Sequence, residues 1–447
     1  MRLLRGDQPK AFESIRDFLQ GDDKMHLLSG AAGTGKTFTL GEVVQYVKVK
    51  RLRSLITAPT HKAVKVLKAL INSDENYSTI HSALGMKEVI SDHGAISFKV
   101  DPKMDYPAEK YDLIIIDEAS MLDDAIFEEL VNLSERNKKI LFVGDPYQIP
   151  PVNHIHAKPF LKSIQAQYKI RVSTLNEIIR QAEGSPIIAY ASSIRMDIHK
   201  PVQIFNSQEV QNDLGAVFTL PMTERITFLN SVLPLFKSVE YKNDIDHIKV
   251  IGWRNITVDT YNKLIREYIF GENIPKIIVG DKLIADAPVV EGRQVLISTN
   301  EEMEVQDVKI AEEELSEEFI LKYYKIKVRV LGRSDKYVQY MLRIIHEDSE
   351  KIFDKICRLQ VHLAKSFPIG SYKARSSWMD YYEFLNHWHK MKYSYCITAH
   401  KSQGSTYNTA YILAWDILMN NDTTERNRIL YTACTRPSRT LYVEYET

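Results

Sequence analysis

Met25-His26-Leu27-Leu28-Ser29-Gly30-Ala31-Ala32-Gly33-Thr34-Gly35-Lys36-Thr37 decides the fold. MHLLSG (25–30) reads as a buried strand, GAAGTGKT (30–37) as a loop, and KTFTLGEVVQYVKVK (36–50) as a helix. The loop matches G-x-x-x-x-G-K-[ST] in full, and it sits between a strand and a helix, as a phosphate-binding loop must. Its glycines let successive backbone N–H groups curl around phosphate oxygens, while the following helix points the positive end of its dipole at them. Lys36 is expected to reach the β- and γ-phosphates, and the Thr37 hydroxyl to ligate Mg²⁺. Gly30, Ala31, Ala32, Gly33, Thr34, Gly35, Lys36 and Thr37 together form the expected nucleotide-binding set.

Working outward, RSLITAP (53–59), YDLIIIDE (111–118) and KKILFVGD (138–145) read as further buried parallel strands, with helical patterns between them. The same alternation returns in IKVIGW (248–253), YSYCITAH (393–400), AYILAW (410–415) and RTLYVEYE (439–446). Strands alternating with helices imply an α/β chain with ligands at the carboxyl ends of parallel strands, here in two halves. Asp117 and Glu118 end the most apolar strand. An Asp there suits a second contact to Mg²⁺, and the adjacent Glu118 suits a base that orients an attacking water. A strand-ending acidic cap is the plainer reading of this pair. Gln148 of GDPYQ (144–148) ends another strand, and its amide suits contact with both that water and the γ-phosphate.

Two segments interrupt the rhythm. Residues 84–108 have the pattern of a β-hairpin turning at His93-Gly94. Residues 273–390 begin as short strands with glycine turns, suggesting a small barrel, and end in the aromatic, helical pattern WMDYYEFLNHWHKMKY.

The chain has 447 residues, with 58 Lys plus Arg against 58 Asp plus Glu, 44% hydrophobic and 26% charged. This composition is that of a folded globular protein and excludes a largely disordered chain. It also excludes a protein that grips nucleic acid by bulk positive charge, but not one with a local basic groove. The charge is uneven: residues 1–70 hold 13 basic and 6 acidic side chains, and residues 301–318 hold nine acids and one Lys. The acidic run reads first as a solvated face. Cys357, Cys396 and Cys434 are too few and too scattered for a disulfide framework, and suit a reducing compartment. The N-terminus lacks a signal-peptide pattern, and no run approaches the 18–20 apolar residues that span a bilayer. His154 with His156, His387 with His389, and Cys396 with His400 lack the partners of a zinc site.

The motifs and their order resemble the superfamily-1 DNA helicases, in particular the RecD-like, 5′-to-3′ branch. The resemblance is carried by RGDQPKAF (5–12), GAAGTGKT (30–37), ITAPTHKAV (56–64), STIHSALG (78–85), IIIDEASML (114–122), GDPYQIPPV (144–152), LNEIIRQ (175–181), ITAHKSQGST (397–406) and LYTACTRPSRTLYV (430–443), and it runs through nearly the whole chain. It implies an α/β fold of two RecA-like P-loop motor domains. The first would occupy 1–83 and 109–182, with 84–108 inserted as a pin hairpin. The second would occupy 183–272 and 391–447, with 273–390 inserted as an SH3-like barrel and arm.

By the same resemblance, Gln8 reads the adenine edge, Arg180 reaches the γ-phosphate, Gly404 faces the nucleotide cleft and Arg436 is an arginine finger from the second motor domain. Lys36, Glu118, Gln148, Arg180 and Arg436 are thus the expected catalytic set. Thr60, His61 and Lys62, then Ser78, Thr79 and His81, then Thr398, His400, Lys401 and Ser402 would line a single-strand groove. For any one of these threonines a helix cap is an equally good reading. Phe98 occupies the place of the pin aromatic, or else packs the hairpin onto the body. Trp378, with Tyr381, Tyr382, Phe384 and Trp388, forms either a small core or an anchor between the arm and the pin.

The activity implied is ATP-dependent 5′-to-3′ DNA unwinding, with ATP and Mg²⁺ as cofactors. Single-stranded DNA and duplex junctions are the implied partners, and single-strand-binding or replication and recombination proteins are candidates for protein contact. No membrane partner is expected, and the chain is expected to act as a monomer in the cytoplasm, that of a bacterial host if it is phage-encoded. Two alternatives stay open: a single-strand translocase that mainly displaces bound proteins, and a P-loop ATPase that acts on proteins.

Overall fold

The computed structural model describes residues 3–71, 73–90, 96–100, 106–151, 154–179, 184–196, 198–200, 208–222, 228–291, 294–332 and 338–445, with only the backbone at 87–90, 96–99, 208, 229 and 294. One compact unit comprises Met1–Met86, Val100–Thr260 and Cys396–Thr447; a second comprises Lys87–Lys99 and Tyr261–Tyr395.

The first unit carries two α/β sheets, each the centre of a RecA-like lobe. In the first lobe lie β1 (Met25–Gly30), β2 (Ser54–Ala58) and β3 (Asn76–Thr79); next along the chain come β4 (Met86–Ile90) and β5 (Ile96–Val100), a hairpin whose residues Lys87–Lys99 belong to the second unit. The sheet resumes with β6 (Leu113–Ile116), β7 (Lys139–Gly144) and β8 (Arg171–Leu175), in the order β3-β2-β6-β7-β1-β8, parallel throughout. Its central strands are mostly apolar and buried along almost their whole length because both faces are covered. Leu28, Ile56, Ile115, Leu141 and Val143 pack on one side, with residues of the helices Gln8–Gln20, Lys36–Val49 and His61–Ile71. Leu27, Leu55, Ile114, Ile116, Ile140 and Phe142 pack on the other, with the helix Asp124–Glu135.

The second lobe contains β9 (Gln208–Asn212), β10 (Gly215–Pro221) and β11 (Ile248–Gly252). Its sheet is completed from the end of the chain by β19 (Cys396–Thr398), β20 (Tyr407–Leu413) and β21 (Pro437–Tyr445), in the order β19-β11-β20-β21-β10-β9. All eight strands read from apolar runs are present. The runs did not mark β3 and β8, edge strands with few buried side chains, nor β9 and β10, where the sheet ends in an antiparallel pair.

The second unit contains β12 (Lys282–Ala285), a ribbon of β13 (Val289–Glu291) and β14 (Gln294–Ile297), then β15 (Glu302–Ser316), β16 (Phe319–Val330), β17 (Gln339–Ile345) and β18 (Met391–Tyr393). The chain then continues into β19 (Cys396–Thr398), β20 (Tyr407–Leu413) and β21 (Pro437–Tyr445) of the second lobe. Five strands pair in the order β17-β16-β15-β12-β18. β15 and β16 are 15 and 12 residues long, where short strands were expected.

The acidic run divides. Its outer half on β15 is largely exposed, as a solvated face should be, whereas Glu304 bonds Lys282 Nζ at 2.6 Å and Arg329 Nη2 at 2.5 Å. Burial alone would raise the Glu304 pKa, but these two cations bring it below the usual carboxylate range. A second ionic centre, beside the start of β12, is Asp281, fully buried, which meets Arg266 Nε and Nη2 at 2.7 and 2.9 Å and accepts from Ile278 N–H at 2.8 Å. Breaking a buried, hydrogen-bonded pair from one side strands the other charge, so Asp281→Ala is expected to cost roughly 3–5 kcal/mol. Replacing both partners with apolar residues should cost less. Calorimetric melting of the single and double variants checks both expectations.

Candidate nucleotide and nucleic-acid sites

The positions of the motifs follow from strand order. β6, β7 and β1 are neighbours and parallel, with Ile116 opposite Phe142 and Ser29 opposite Gly144. Their carboxyl ends therefore bring GAAGTGKT, Asp117-Glu118 and GDPYQ to one edge of the first sheet. Gly33 and Gly35 have φ of +82° and +79°, the left-handed backbone that turns the loop into the helix Lys36–Val49. Thr34 Oγ1 donates to the Ala31 carbonyl at 2.8 Å, and Lys36 Nζ lies across the loop, 2.7 and 3.0 Å from the Gly30 and Ala31 carbonyls. Gln8 is 2% exposed and tucked beside the loop. Its Nε2 lies 3.4 Å from the Thr34 and Gly35 carbonyls, while its Oε1 accepts from Arg5 N–H at 3.1 Å.

Glu118 has φ of +52°, a left-handed conformation that costs a side chain with a Cβ energy and that concentrates at working sites. Desolvation and the adjacent Glu118 charge push the pKa of Asp117 up to about 7, against the pull of Lys36. Such a carboxyl suits a cation. Asp117 and the Thr37 hydroxyl offer the hard oxygen donors that Mg²⁺ takes alongside phosphate oxygens and water. Gln148 is 5% exposed, and its Oε1 has no hydrogen-bond partner among the described residues. A buried acceptor of this kind is costly unless something donates to it.

The second lobe meets this edge through the helix Thr423–Cys434 and the loops beside it. Arg436 is 6% exposed, with Nη1 4.0 Å from Glu118 Oε1. It is held in place by the Thr432 carbonyl, 3.0 Å from Nε, and by Thr435 Oγ1, 3.0 Å from Nη2. Three contacts that the sequence reading did not single out join the lobes. Tyr431 Oη lies 2.6 Å from Asp145 Oδ2, Thr432 Oγ1 accepts from Ile149 N–H at 3.2 Å, and Gln403 Nε2 donates to the Ile149 carbonyl at 2.9 Å. The residues of each pair are 254 or more positions apart, so no local pattern marks them.

The threonines of the three expected DNA clusters share one local role. Thr60, Thr79 and Thr398 each accept through Oγ1 from the backbone N–H three residues on, at 3.2, 3.3 and 3.3 Å. Each caps a turn, the plainer reading considered for them. The clusters nevertheless come together: Ala58 is paired with Thr79, and a Cβ on Gly404 would stand 3.6 Å from Thr60 Oγ1. Burial lowers the pKa of His81 and of His400, so both present neutral rings at pH 7. His61 is exposed and Lys401 half-buried. Lys62 forms an ion pair with Asp246 and lies 4.7 Å over the Tyr407 ring, so a phosphate at Lys62 competes with a carboxylate.

Gly404 lies against the start of the helix His61–Ile71, where a Cβ would come within 2.9 Å of Ala63 Cβ, on the Thr60 side of the lobe contact. Of the two readings of Trp378, its surroundings agree with the small core: it is 8% exposed and packs on Tyr381 and Tyr382 at 5.8 and 6.3 Å between ring centres. Phe98 is a residue of β5, but its side chain lies outside the described residues, as does the whole of Arg180.

The chain matches two family descriptions, the AAA domain over residues 4–210 and the UvrD-like helicase C-terminal domain over 393–443. It is 25% identical over 457 residues to the ATP-dependent DNA helicase Dda of Enterobacteria phage T4, covering 97% of each chain. It is 27% identical to an uncharacterized protein of Acanthamoeba polyphaga mimivirus, covering 94% of this chain and 95% of that one. Over 181 residues it is 33% identical to the ATP-dependent RecD2 DNA helicase of Deinococcus radiodurans, covering 40% of this chain and 23% of that one. Both family matches fall on the α/β segments that hold the phosphate loop, the paired acids, Gln148 and Arg436, and the likeness to Dda runs end to end: the chain belongs to the superfamily-1 DNA helicases, in the branch that includes Dda and RecD2.

Proposed function

We propose that the chain is an ATP-driven motor that moves 5′-to-3′ on single-stranded DNA and separates duplex ahead of it. The observation that carries this reading is the convergence of GAAGTGKT, Asp117-Glu118 and Gln148 on one sheet edge, with Arg436 of the other lobe 4.0 Å from Glu118. Lys36 and the backbone N–H groups of the loop bind the phosphates, and Thr37 and Asp117 would hold Mg²⁺, which would neutralise phosphate charge. Glu118 orients the attacking water and takes its proton, while Gln148 contacts water and γ-phosphate. Arg436 neutralises charge in the transition state, a contribution of ~10³–10⁵ in rate for such fingers. Because Arg436 and Glu118 belong to different lobes, hydrolysis depends on the lobes being together, and the phosphate state is thereby tied to their contact.

The strand end at Thr79, the helix start at Thr60 and the turn at Thr398–Gly404 give donors from both lobes for a strand bound through its phosphates, without base reading. A hairpin with an aromatic at Phe98 supplies a stacking partner worth ~1–3 kcal/mol, comparable to the ~0.6–2.2 kcal/mol of one base-pair step. Single-strand-binding and replication or recombination proteins, and action as a monomer, belong to this proposal.

Lys36→Ala is expected to lower DNA-stimulated ATP hydrolysis by roughly 10²-fold or more and to abolish unwinding; retention of both in coupled ATPase and strand-separation assays would remove the site assignment. Polarity is read from duplexes carrying one single-stranded tail: unwinding is expected with a 5′ tail, and unwinding confined to the 3′ tail contradicts the branch. Phe98→Ala is expected to keep DNA-stimulated hydrolysis while losing most strand separation. Unchanged separation would instead favour a translocase that works on bound proteins without using the hairpin as a wedge.

A further inference from the structure

Tyr431 has no part in the mechanism above, yet its hydroxyl stands at the centre of the lobe contact. The residue is 1% exposed, on the helix Thr423–Cys434 of the second lobe. Its Oη accepts from Ala32 N–H of the phosphate loop at 3.0 Å and donates to Asp145 Oδ2 at 2.6 Å. Asp145 is fully buried; its Oδ1 accepts from Tyr147 N–H at 2.9 Å and its carbonyl from Gln148 N–H at 3.3 Å. One phenolic oxygen of the second lobe therefore joins the two first-lobe loops that handle phosphate. The ring is steadied by an edge contact with Tyr147, 6.4 Å between centres, and burial raises the phenol's pKa, so the group stays a neutral donor.

Ala32 N–H is one of the backbone donors with which a loop of this kind holds phosphate oxygens. A single N–H makes one strong hydrogen bond, so a phosphate oxygen that takes this donor takes it from Tyr431. Since the same hydroxyl reaches the loop that carries Gln148, the phosphate concerned is the terminal one. Resting on the function proposed above, we infer that Tyr431 is a positioning residue whose hydroxyl competes with the terminal phosphate of ATP for the Ala32 N–H, so that triphosphate binding resets the contact between the lobes. A diphosphate, lacking that oxygen, leaves the Tyr431 contact in place.

The test compares fluorescent ADP with a non-hydrolysable fluorescent ATP analogue, each titrated with Mg²⁺ against the full-length chain. Tyr431→Phe removes the competitor and is expected to tighten the triphosphate analogue roughly twofold to tenfold, the equivalent of one net hydrogen bond, with ADP affinity unchanged. Its DNA-stimulated kcat should fall, because the phosphate state no longer resets the lobe contact. Thr432→Val is the control. It removes the neighbouring Ile149–Thr432 bond between the lobes without touching the phosphate loop, and is expected to shift both nucleotides alike. If Tyr431→Phe does not fold, Asp145→Asn weakens the hydroxyl's anchor and is expected to give the same selective tightening, smaller in size. Equal shifts for the two nucleotides, weaker triphosphate binding, or no shift would overturn the inference. Failure of the unaltered chain to bind either nucleotide would instead overturn the ATPase reading on which it rests.

Discussion

Parallel strands deliver their connecting loops to one edge of a sheet, and the working parts of this chain depend on that constraint. With β6, β7 and β1 side by side, three motifs spread over more than a hundred residues meet within a few ångströms, and none needs a long side chain to arrive there. The strands are fixed in turn by the two apolar layers that cover the sheet. A shift of register by one residue would exchange Leu27 with Leu28 and Ile114 with Ile115 between the layers and carry the motifs out of alignment. The chemistry at the edge is thus a consequence of packing beneath it.

Contact between the lobes is of a different kind. Tyr431, Thr432, Gln403 and Arg436 are all buried, and the first three direct polar atoms at backbone or carboxylate groups of the other lobe. An apolar seam of the same area would hold the lobes together without regard to what the phosphate loop contains. Directional bonds to Ala32, Asp145 and Ile149 hold only one arrangement, and bring each partner loop's position under the influence of the other lobe. Such an interface suits a machine that must alternate between discrete states.

What could be read in advance follows the range of the interactions. The phosphate loop, the strand after which each motif falls and the α/β alternation depend on neighbouring residues and were legible. β3 and β8 were not, because edge strands carry too few apolar residues to stand out. Tyr431 lies on the helix Thr423–Cys434, and nothing within ten positions announces Ala32, 399 residues away. Trp378 packs on two tyrosines one helical turn away, as its spacing suggested, whereas the packing of Gly404 on Ala63 has no local signal. The threonine clusters lie between these cases: their caps follow from local sequence, and their nearness follows from strand pairing.

The left-handed backbone at Glu118 has a consequence for anyone seeking a sturdier version of this protein. Glycine, and to a lesser degree asparagine, relaxes at such a φ, so a library sorted only for heat resistance would be drawn toward replacing a carboxylate proposed to orient water. The survivors would be well-folded, nucleotide-loaded and idle. At this position durability and turnover pull in opposite directions, and a screen has to reward both at once.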